Sequence, residues 1–137
     1  MKRVVLDASV ALGAFLPDEN HQGAVAVFAA ASGFEFHVPE IWKVEIGNAF
    51  LMAVRRERIP ASMLELVLES LGKLAVQTDP HTGRLAWSQT MALAQKHRLT
   101  LYDAAYLELA VRREAALATL DARLGSAALK EGLELAV

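Results

Sequence analysis

The stretch Val4-Val5-Leu6-Asp7-Ala8-Ser9 decides the fold, because it joins a short apolar segment to a helix through one acidic residue. A short continuous run of valine and leucine is typical of a strand buried on both faces of a parallel sheet. Residues 8–16 are predicted to form a helix that stops at Pro17, since proline cannot continue one. We therefore expect a strand that ends at Asp7 and a helix that follows at once.

The same alternation of strand and helix continues along the chain. Further strands are predicted at residues 34–38, 75–77 and 116–120, and residues 133–137 are a candidate closing strand. Helices are predicted at residues 18–31, 40–58, 61–74, 102–113 and 121–130, with another long helix that ends near residue 97. This order predicts one domain, residues 1–137, built as a three-layer α/β/α sandwich around a central, mainly parallel sheet.

Composition excludes several classes of protein. The chain is 54% hydrophobic and 22% charged, too apolar for a disordered protein. Its 14 Lys and Arg against 16 Asp and Glu exclude nucleic-acid binding by bulk charge, although a local basic patch is allowed. The absence of Cys excludes disulfide scaffolds and thiol nucleophiles. No apolar run is long enough for a membrane span, and Asp7 interrupts any signal-like start, so we expect a cytoplasmic protein without a membrane association.

Acidic residues follow two of the predicted strands. In a parallel α/β sheet the ligand crevice lies beyond the carboxyl ends of the strands, where Asp7 and Asp121 are expected to meet if the first and fourth strands are neighbours. Asp103 begins a predicted helix, and Glu45 lies within another with Asn48 on the same face. These residues are candidates for one acidic site.

Helix capping is the competing interpretation of the aspartates. Asp is a preferred N-cap, and Asp7, Asp103 and Asp121 each precede a predicted helix. We expect Asp18, which also precedes one, to be only a cap. Glu45 cannot be explained in this way, because it is predicted in the middle of a helix.

Four converging carboxylates would need a counter-ion. At about 5 Å and an effective dielectric of ~20, each pair repels by about 3 kcal/mol, or on the order of 20 kcal/mol over six pairs. That exceeds the roughly 5–15 kcal/mol that stabilises a domain. A hard divalent cation relieves the repulsion, and oxygen ligands favour Mg²⁺ or Mn²⁺.

Four motifs carry a resemblance to a known family. They are Val4-Val5-Leu6-Asp7-Ala8-Ser9, Glu45-Ile46-Gly47-Asn48, Thr100-Leu101-Tyr102-Asp103-Ala104-Ala105-Tyr106 and Ala118-Thr119-Leu120-Asp121. In this order and on these elements, the chain resembles the PIN-domain proteins, and most of all the toxin subunits of VapBC toxin–antitoxin pairs.

The resemblance implies a Mg²⁺- or Mn²⁺-dependent endoribonuclease that hydrolyses RNA phosphodiester bonds. The catalytic and metal-binding acids would be Asp7, Glu45, Asp103 and Asp121, supported by the polar residues Ser9, Asn48, Thr100 and Thr119. It also implies a VapB-like antitoxin as partner and a homodimer. The apolar stripe on the helix of residues 61–74 is a candidate interface, with core packing as the alternative.

RNA binding also needs positive charge. Arg55 and Arg56 at the end of the Glu45 helix and Arg98 before the third motif are candidate substrate contacts, and Arg112-Arg113 is a further basic pair. The alternative is that each group complements the dipole of the helix that it ends.

Other interpretations remain open at the level of sequence. Trp42 is either core packing or a platform for a stacked base. A phosphotransferase of the haloacid-dehalogenase type would need a second Asp where this chain has Ser9. A catalytically inactive PIN-like module that binds RNA or protein, and a PIN nuclease of RNA maturation, share the fold and stay as alternatives.

Overall fold

Strands and helices alternate in the computed structural model, which describes residues 1–137. The strands are β1 (Lys2–Leu6), β2 (Phe34–Pro39), β3 (Val76–Asp79) and β4 (Ala116–Ala118). The helices are α1 (Ala8–Phe15), α2 (Gln22–Ala29), α3 (Trp42–Arg55), α4 (Ala61–Gly72), α5 (Thr82–Leu85), α6 (Gln89–His97), α7 (Leu101–Arg113) and α8 (Ala122–Lys130). A 3-10 turn, Ala31–Gly33, leads into β2.

The four strands form one parallel sheet in the order β3-β2-β1-β4. Val5 of β1 lies between His37 of β2 and Leu117 of β4, so the first and fourth strands are neighbours, as expected. The strands β1, β2 and β3 are added to the sheet in one direction, and the chain then crosses back so that β4 pairs on the other side of β1. Right-handed crossovers therefore place α1 to α4 on one face and α6 and α7 on the other, which confirms the predicted three-layer architecture.

The core lies on both faces of β1. Val4, Val5 and Leu6 are fully buried, and they belong to a hydrophobic cluster of 32 buried residues. Helix α7 packs against β1, β2 and β4 and is buried from Ala104 to Ala110. Trp42 is 3% exposed and belongs to the same cluster, so the core-packing interpretation of this residue is correct and the base-stacking one is wrong.

The stripe on α4 also belongs mainly to the core. Val67 and Leu71 are buried and Met63 and Leu64 pack partly against the core, whereas Leu68 is 40% exposed. The alternative of core packing therefore describes most of this stripe.

Asp18 does not cap a helix. Helix α2 begins at Gln22, later than predicted, and its N-cap is His21, whose Nδ1 accepts a hydrogen bond from Ala24 N at 3.3 Å. Asp18 instead accepts two hydrogen bonds from the Arg58 guanidinium at 2.8 and 2.9 Å. The competing ion pair, and a backbone at Asn20 with φ of 39°, explain why the helix starts late.

Two other predicted elements differ from the structure. The long helix that was expected to end near residue 97 is divided into α5 and α6 by a turn in which Ser88 leaves the helical region, with φ −118° and ψ −100°. Residues 133–137 form no regular strand; they contribute one parallel bridge, Leu117 with Leu135. None of the helices combines the length and the apolar character that crossing a membrane requires.

A buried ion cluster joins β3 to α7. The guanidinium of Arg112 donates to both oxygens of Asp79, at 2.6 and 3.1 Å, and to both oxygens of Glu108, at 2.8 and 2.9 Å. Arg113 approaches Asp79 at 3.7 Å. This basic pair therefore has internal partners, and its contribution is to hold α7 against the edge of the sheet.

Candidate active site

The four predicted acids all lie at the carboxyl edge of the sheet. Asp7 directly follows β1, and Asp121 lies three residues beyond the end of β4, which is the neighbouring strand. Asp103 is in the first turn of α7 and Glu45 in the first turn of α3. Asp7, Asp121 and Glu45 reach this edge because each follows the carboxyl end of a strand. Helix α7 follows α6 instead, and the charges of Asp7 and Asp121 act on Asp103, which indicates that its first turn lies at the same edge.

Two hydroxyl groups hold the carboxylate of Asp7. Ser9 Oγ and Thr119 Oγ1 each donate a hydrogen bond to Asp7 Oδ2 at 2.7 Å, while Oδ1 accepts none from a side chain. Asp7 occupies the N-cap position of α1, yet its side chain makes no capping hydrogen bond. The capping interpretation of Asp7 is therefore wrong, and the buried side chain is oriented toward polar groups of the neighbouring strand end.

The same hydroxyls fix the backbone before Asp121. Ser9 Oγ accepts from Leu120 N at 2.9 Å, and Thr119 Oγ1 accepts from Asp121 N at 3.1 Å. Asp121 itself caps α8, because its Oδ1 accepts from Leu124 N at 2.9 Å. The capping interpretation is thus correct for Asp121, but capping occupies only one of its carboxylate oxygens. This exposed side chain remains part of the acidic edge, by which we mean the carboxyl edge of the sheet where Asp7, Glu45, Asp103 and Asp121 lie.

Thr100, and not Asp103 as the sequence allowed, is the residue that caps α7. Thr100 is the N-cap of α7, and its Oγ1 accepts from Asp103 N at 3.1 Å. The carboxylate of Asp103 is consequently free of a capping role, so the capping interpretation of this residue is wrong. Thr100 supports the site through the backbone of the acid.

A buried phenol positions Glu45. Tyr106 Oη donates a hydrogen bond to Glu45 Oε1 at 2.5 Å, and Tyr106 is fully buried. Burial raises the pKa of Tyr106 far above its usual value, and the negative charge of Glu45 adds to the rise, so the phenol remains a proton donor. The sequence motif contained Tyr106 but gave it no role.

Burial and mutual repulsion make the acids costly to ionise. Burial raises the pKa of Asp7 against the opposing hydrogen bonds of Ser9 and Thr119, and the charge of Asp121 raises it further. Burial likewise raises the pKa of Glu45, opposed by Tyr106 and reinforced by Asp7 and Asp103.

Asp103 responds in the same way. Burial raises its pKa first, and the charges of Asp7 and Asp121 raise it further, against the hydrogen bond from Thr100 and the positive charge of Arg123. The four acids therefore interact electrostatically with one another. Arg123 is a nearby cation that the sequence reasoning missed, although its place two residues after Asp121 was a usable signal.

The donor set suits a hard divalent cation, since it consists of carboxylate and hydroxyl oxygens without sulfur or imidazole. In this conformation no group of three or more acidic or histidine side chains is arranged to hold one ion. The fit is therefore one of chemistry and charge: an added cation would neutralise the repulsion that raises these pKa values.

Several predicted residues lie outside this network. Asn48 is exposed and makes no hydrogen bond to the acids. Arg55 and Arg56 are exposed at the far end of α3, about 15 Å along the helix from Glu45. Arg98 is exposed at the end of α6 in the left-handed region, with φ of 56°.

The fold is that of a PIN domain, and the model of the PIN domain family matches residues 4–130. The chain belongs to the PIN-domain family. Ribonuclease VapC3 of Pyrobaculum aerophilum is 30% identical over 122 residues, which cover 89% of this chain and 92% of the relative. Ribonuclease VapC9 of Mycobacterium tuberculosis is 32% identical over 121 residues, 88% of this chain and 87% of the relative.

Solved structures share the fold. The crystal structure of FitAcB from Neisseria gonorrhoeae matches with a TM-score of 0.65 at 13% identity, over 96% of this chain and 95% of that one. A protein from Pyrobaculum aerophilum matches with a TM-score of 0.64 at 21% identity, over 92% and 79%. At these identities the likeness concerns architecture alone.

Proposed function

We propose that residues 1–137 act as one metal-dependent endoribonuclease domain, the toxin of a VapBC-type toxin–antitoxin pair. The observation that supports this proposal is that Asp7, Glu45, Asp103 and Asp121 all lie toward the carboxyl edge of the sheet, with the pKa values of Asp7, Glu45 and Asp103 raised by burial and mutual charge. The relatives named VapC ribonucleases, each matched over most of its length, support it.

The four acids would hold Mg²⁺ or Mn²⁺. Such an ion, when bound, lowers the pKa of a coordinated water and offsets the charge of a phosphodiester. Every other requirement of the reaction falls to the chain itself, which must orient the carboxylates, admit the RNA strand and keep its scissile phosphate near the acids.

The supporting residues have distinct tasks in this proposal. Ser9 and Thr119 hold Asp7 Oδ2, which leaves Oδ1 available to a ligand. Tyr106 holds one oxygen of Glu45 and Thr100 fixes the first turn of α7. Positioning groups of this kind typically change metal affinity or activity by about 10–100-fold when removed.

Asn48 is the polar residue with the weakest structural support, and its proposed task is to contact substrate or water from its exposed place one turn after Glu45. Arg55, Arg56 and Arg98 are proposed contacts to RNA phosphates away from the scissile bond. Their exposure and freedom from ion pairs support this proposal.

A VapB-like antitoxin is the proposed partner, and a homodimer acting in the cytoplasm is the proposed assembly. A polypeptide with an arginine would be favoured at the acidic edge, because arginine pairs with carboxylates through two hydrogen bonds. Apolar side chains left exposed, such as Val44, Leu66 and Trp87, offer surface for a protein partner.

Cleavage of single-stranded RNA in Mn²⁺, Mg²⁺ or EDTA, with Asp121→Asn beside the wild-type protein, tests the proposal. Asparagine is as good an N-cap as aspartate, so this variant keeps the cap of α8 and loses only the negative charge. Asp18→Asn is the matched control, since it makes the same chemical change at an exposed ion pair elsewhere.

Metal-dependent cleavage that is lost in Asp121→Asn and retained in Asp18→Asn is the expected result. Equal cleavage by both variants would refute the acidic edge as the catalytic site. Absence of cleavage together with absence of Mn²⁺ binding by calorimetry would favour an inactive PIN-like module.

A further inference from the structure

An open groove runs along α8, beginning beside the acidic edge. It has a volume of about 350 Å³ and is lined by His97, Ala122, Arg123, Ser126, Ala127 and Lys130. None of these six residues is acidic, although the chain as a whole carries a net charge of −2. The groove therefore presents positive and neutral polar groups on a protein that is otherwise weakly anionic.

The polar groups of the groove form one line. Arg123, Ser126 and Lys130 are spaced by three and four residues, so they share one face of α8, and all three are exposed. From Arg123 to Lys130 the helix rises by about 10 Å. In a duplex, one strand advances by about 3.4 Å along the helix axis for each phosphate. The line on α8 is longer than this rise, so it can meet more than one phosphate.

Arg123 connects this line to the catalytic edge. It lies in the first turn of α8, where the helix dipole disfavours a cation. The acids at the carboxyl edge offset this unfavourable interaction with the dipole, since the positive charge of Arg123 interacts favourably with Asp103 and lowers its pKa. A cation held beside the acids, with a free guanidinium in an open groove, is placed to receive an anion that also reaches them.

Glu131, which follows Lys130 at the far end of the groove, is paired with residues other than Lys130. Glu131 Oε2 accepts hydrogen bonds at 2.7 Å from both Lys96 and His97. Lys130 has no ion pair of its own. The far end of the groove therefore keeps an available positive charge.

We propose that this groove binds the sugar–phosphate backbone of the RNA strand next to the scissile bond, with Arg123 and Lys130 on two different phosphates and Ser126 between them. The assignment rests on the proposed ribonuclease function and adds the path of the substrate. Contacts to phosphates carry no sequence information, so the groove fixes the position of the strand and does not select the base.

Fluorescence anisotropy of a labelled 12-nucleotide single-stranded RNA, in EDTA so that it stays intact, tests the groove. The double variant Arg123→Ala/Lys130→Ala is compared with Lys2→Ala/Lys73→Ala. The control removes the same number of positive charges at exposed residues near the opposite edge of the sheet. Lys2 is the first residue of β1 and is paired with Glu134, and Lys73 precedes β3 and is paired with Glu69. Circular dichroism confirms that both double variants are folded.

The groove variant should bind roughly tenfold more weakly at about 0.1 M salt, as expected for two exposed charge contacts. Its slope of log affinity against log salt should fall by about 1.4, because each phosphate contact on a single strand contributes about 0.7. The control should match the wild type in slope.

If both double variants bound RNA with the affinity and the salt slope of the wild type, the groove would not be an RNA-binding surface, while the proposed function would stand. A wild-type protein that neither binds RNA in EDTA nor cleaves it in Mn²⁺ would overturn both. The two failures are therefore distinguishable when the titration is read beside the cleavage assay.

Discussion

Replacing Arg112 by leucine should destabilise the fold without weakening RNA binding. Arg112 makes four hydrogen bonds to the carboxylates of Asp79 and Glu108, whose side chains are 2% and 7% exposed. Leucine fills part of the volume but leaves two buried carboxylates, with only Arg113 at 3.7 Å from one of them. The basic pair at the end of α7, considered as an RNA contact from sequence, is thereby tested as a structural element.

The expected loss is about 3–5 kcal/mol, the range for breaking a buried ion pair by removing one partner. For a domain of this size that corresponds to a fall in melting temperature of roughly 10–20 °C. Protonation of Asp79 or Glu108 can relieve part of the penalty, which places the value toward the lower end at acidic pH.

Arg55→Leu is the matched control with the opposite expectation. Arg55 is exposed and has no ion pair, so its loss should change the free energy of unfolding by at most about 0.5 kcal/mol. As a proposed substrate contact it should weaken RNA binding, although both variants remove one positive charge. Urea denaturation and RNA anisotropy below the melting temperature measure the two quantities. A loss of less than about 1 kcal/mol in Arg112→Leu, or an equal loss of RNA affinity in both variants, would refute this division of roles.

Two other predictions concern Glu45 and acid stability. Tyr106→Phe removes the hydroxyl that donates to Glu45 Oε1, so cleavage should fall by about 10–100-fold while Tyr102→Phe, at an exposed residue, stays near wild type in the same RNA assay. Equal activity of the two would show that Glu45 needs no positioning by Tyr106. Burial alone would raise the pKa of Asp79, but the hydrogen bonds and charge of Arg112 bring it below the usual value. The stabilisation from Asp79 is therefore complete above its unfolded pKa of about 3.9 and is lost as pH falls through the lower folded value. Urea denaturation between pH 6 and pH 2 should show that the free energy of unfolding falls in the wild type and falls less in Arg112→Leu. Equal falls in the two proteins would contradict this prediction.

The fold was predictable because local pattern and global topology agree. The buried segment before Asp7 and the small residues of α7 require a sheet covered on both faces, and chain order then limits where β4 can pair. The predictions failed where contacts between side chains distant in sequence determine the local structure. Asp18 has the right residue type for a cap, but Arg58, 40 residues away, engages its carboxylate.

The acids were also predictable as a set, but their individual duties were not. Residue type and position allowed Asp7, Asp103 and Asp121 to be either helix caps or site residues. Which one applies depends on the neighbouring hydroxyls: Thr100 caps α7 in place of Asp103, and Ser9 and Thr119 engage Asp7. Arg123 was missed although it lies two residues after Asp121, because its effect on Asp103 depends on where α7 and α8 lie in the fold.

The way in which these caps are distributed bears on the chemistry of the edge. A carboxylate at a helix N-terminus is normally stabilised in its charged form by the dipole and by capping hydrogen bonds. Here Asp7 and Asp103 lie at such positions without capping, and burial with mutual repulsion raises their pKa values instead. The free energy that a side-chain cap would have contributed to folding is forgone at the start of α1, whereas Thr100 supplies the cap of α7 and leaves Asp103 free of that role. What the molecule retains is a set of carboxylates whose mutual repulsion a bound cation would relieve, because such an ion would be the largest positive charge at this edge.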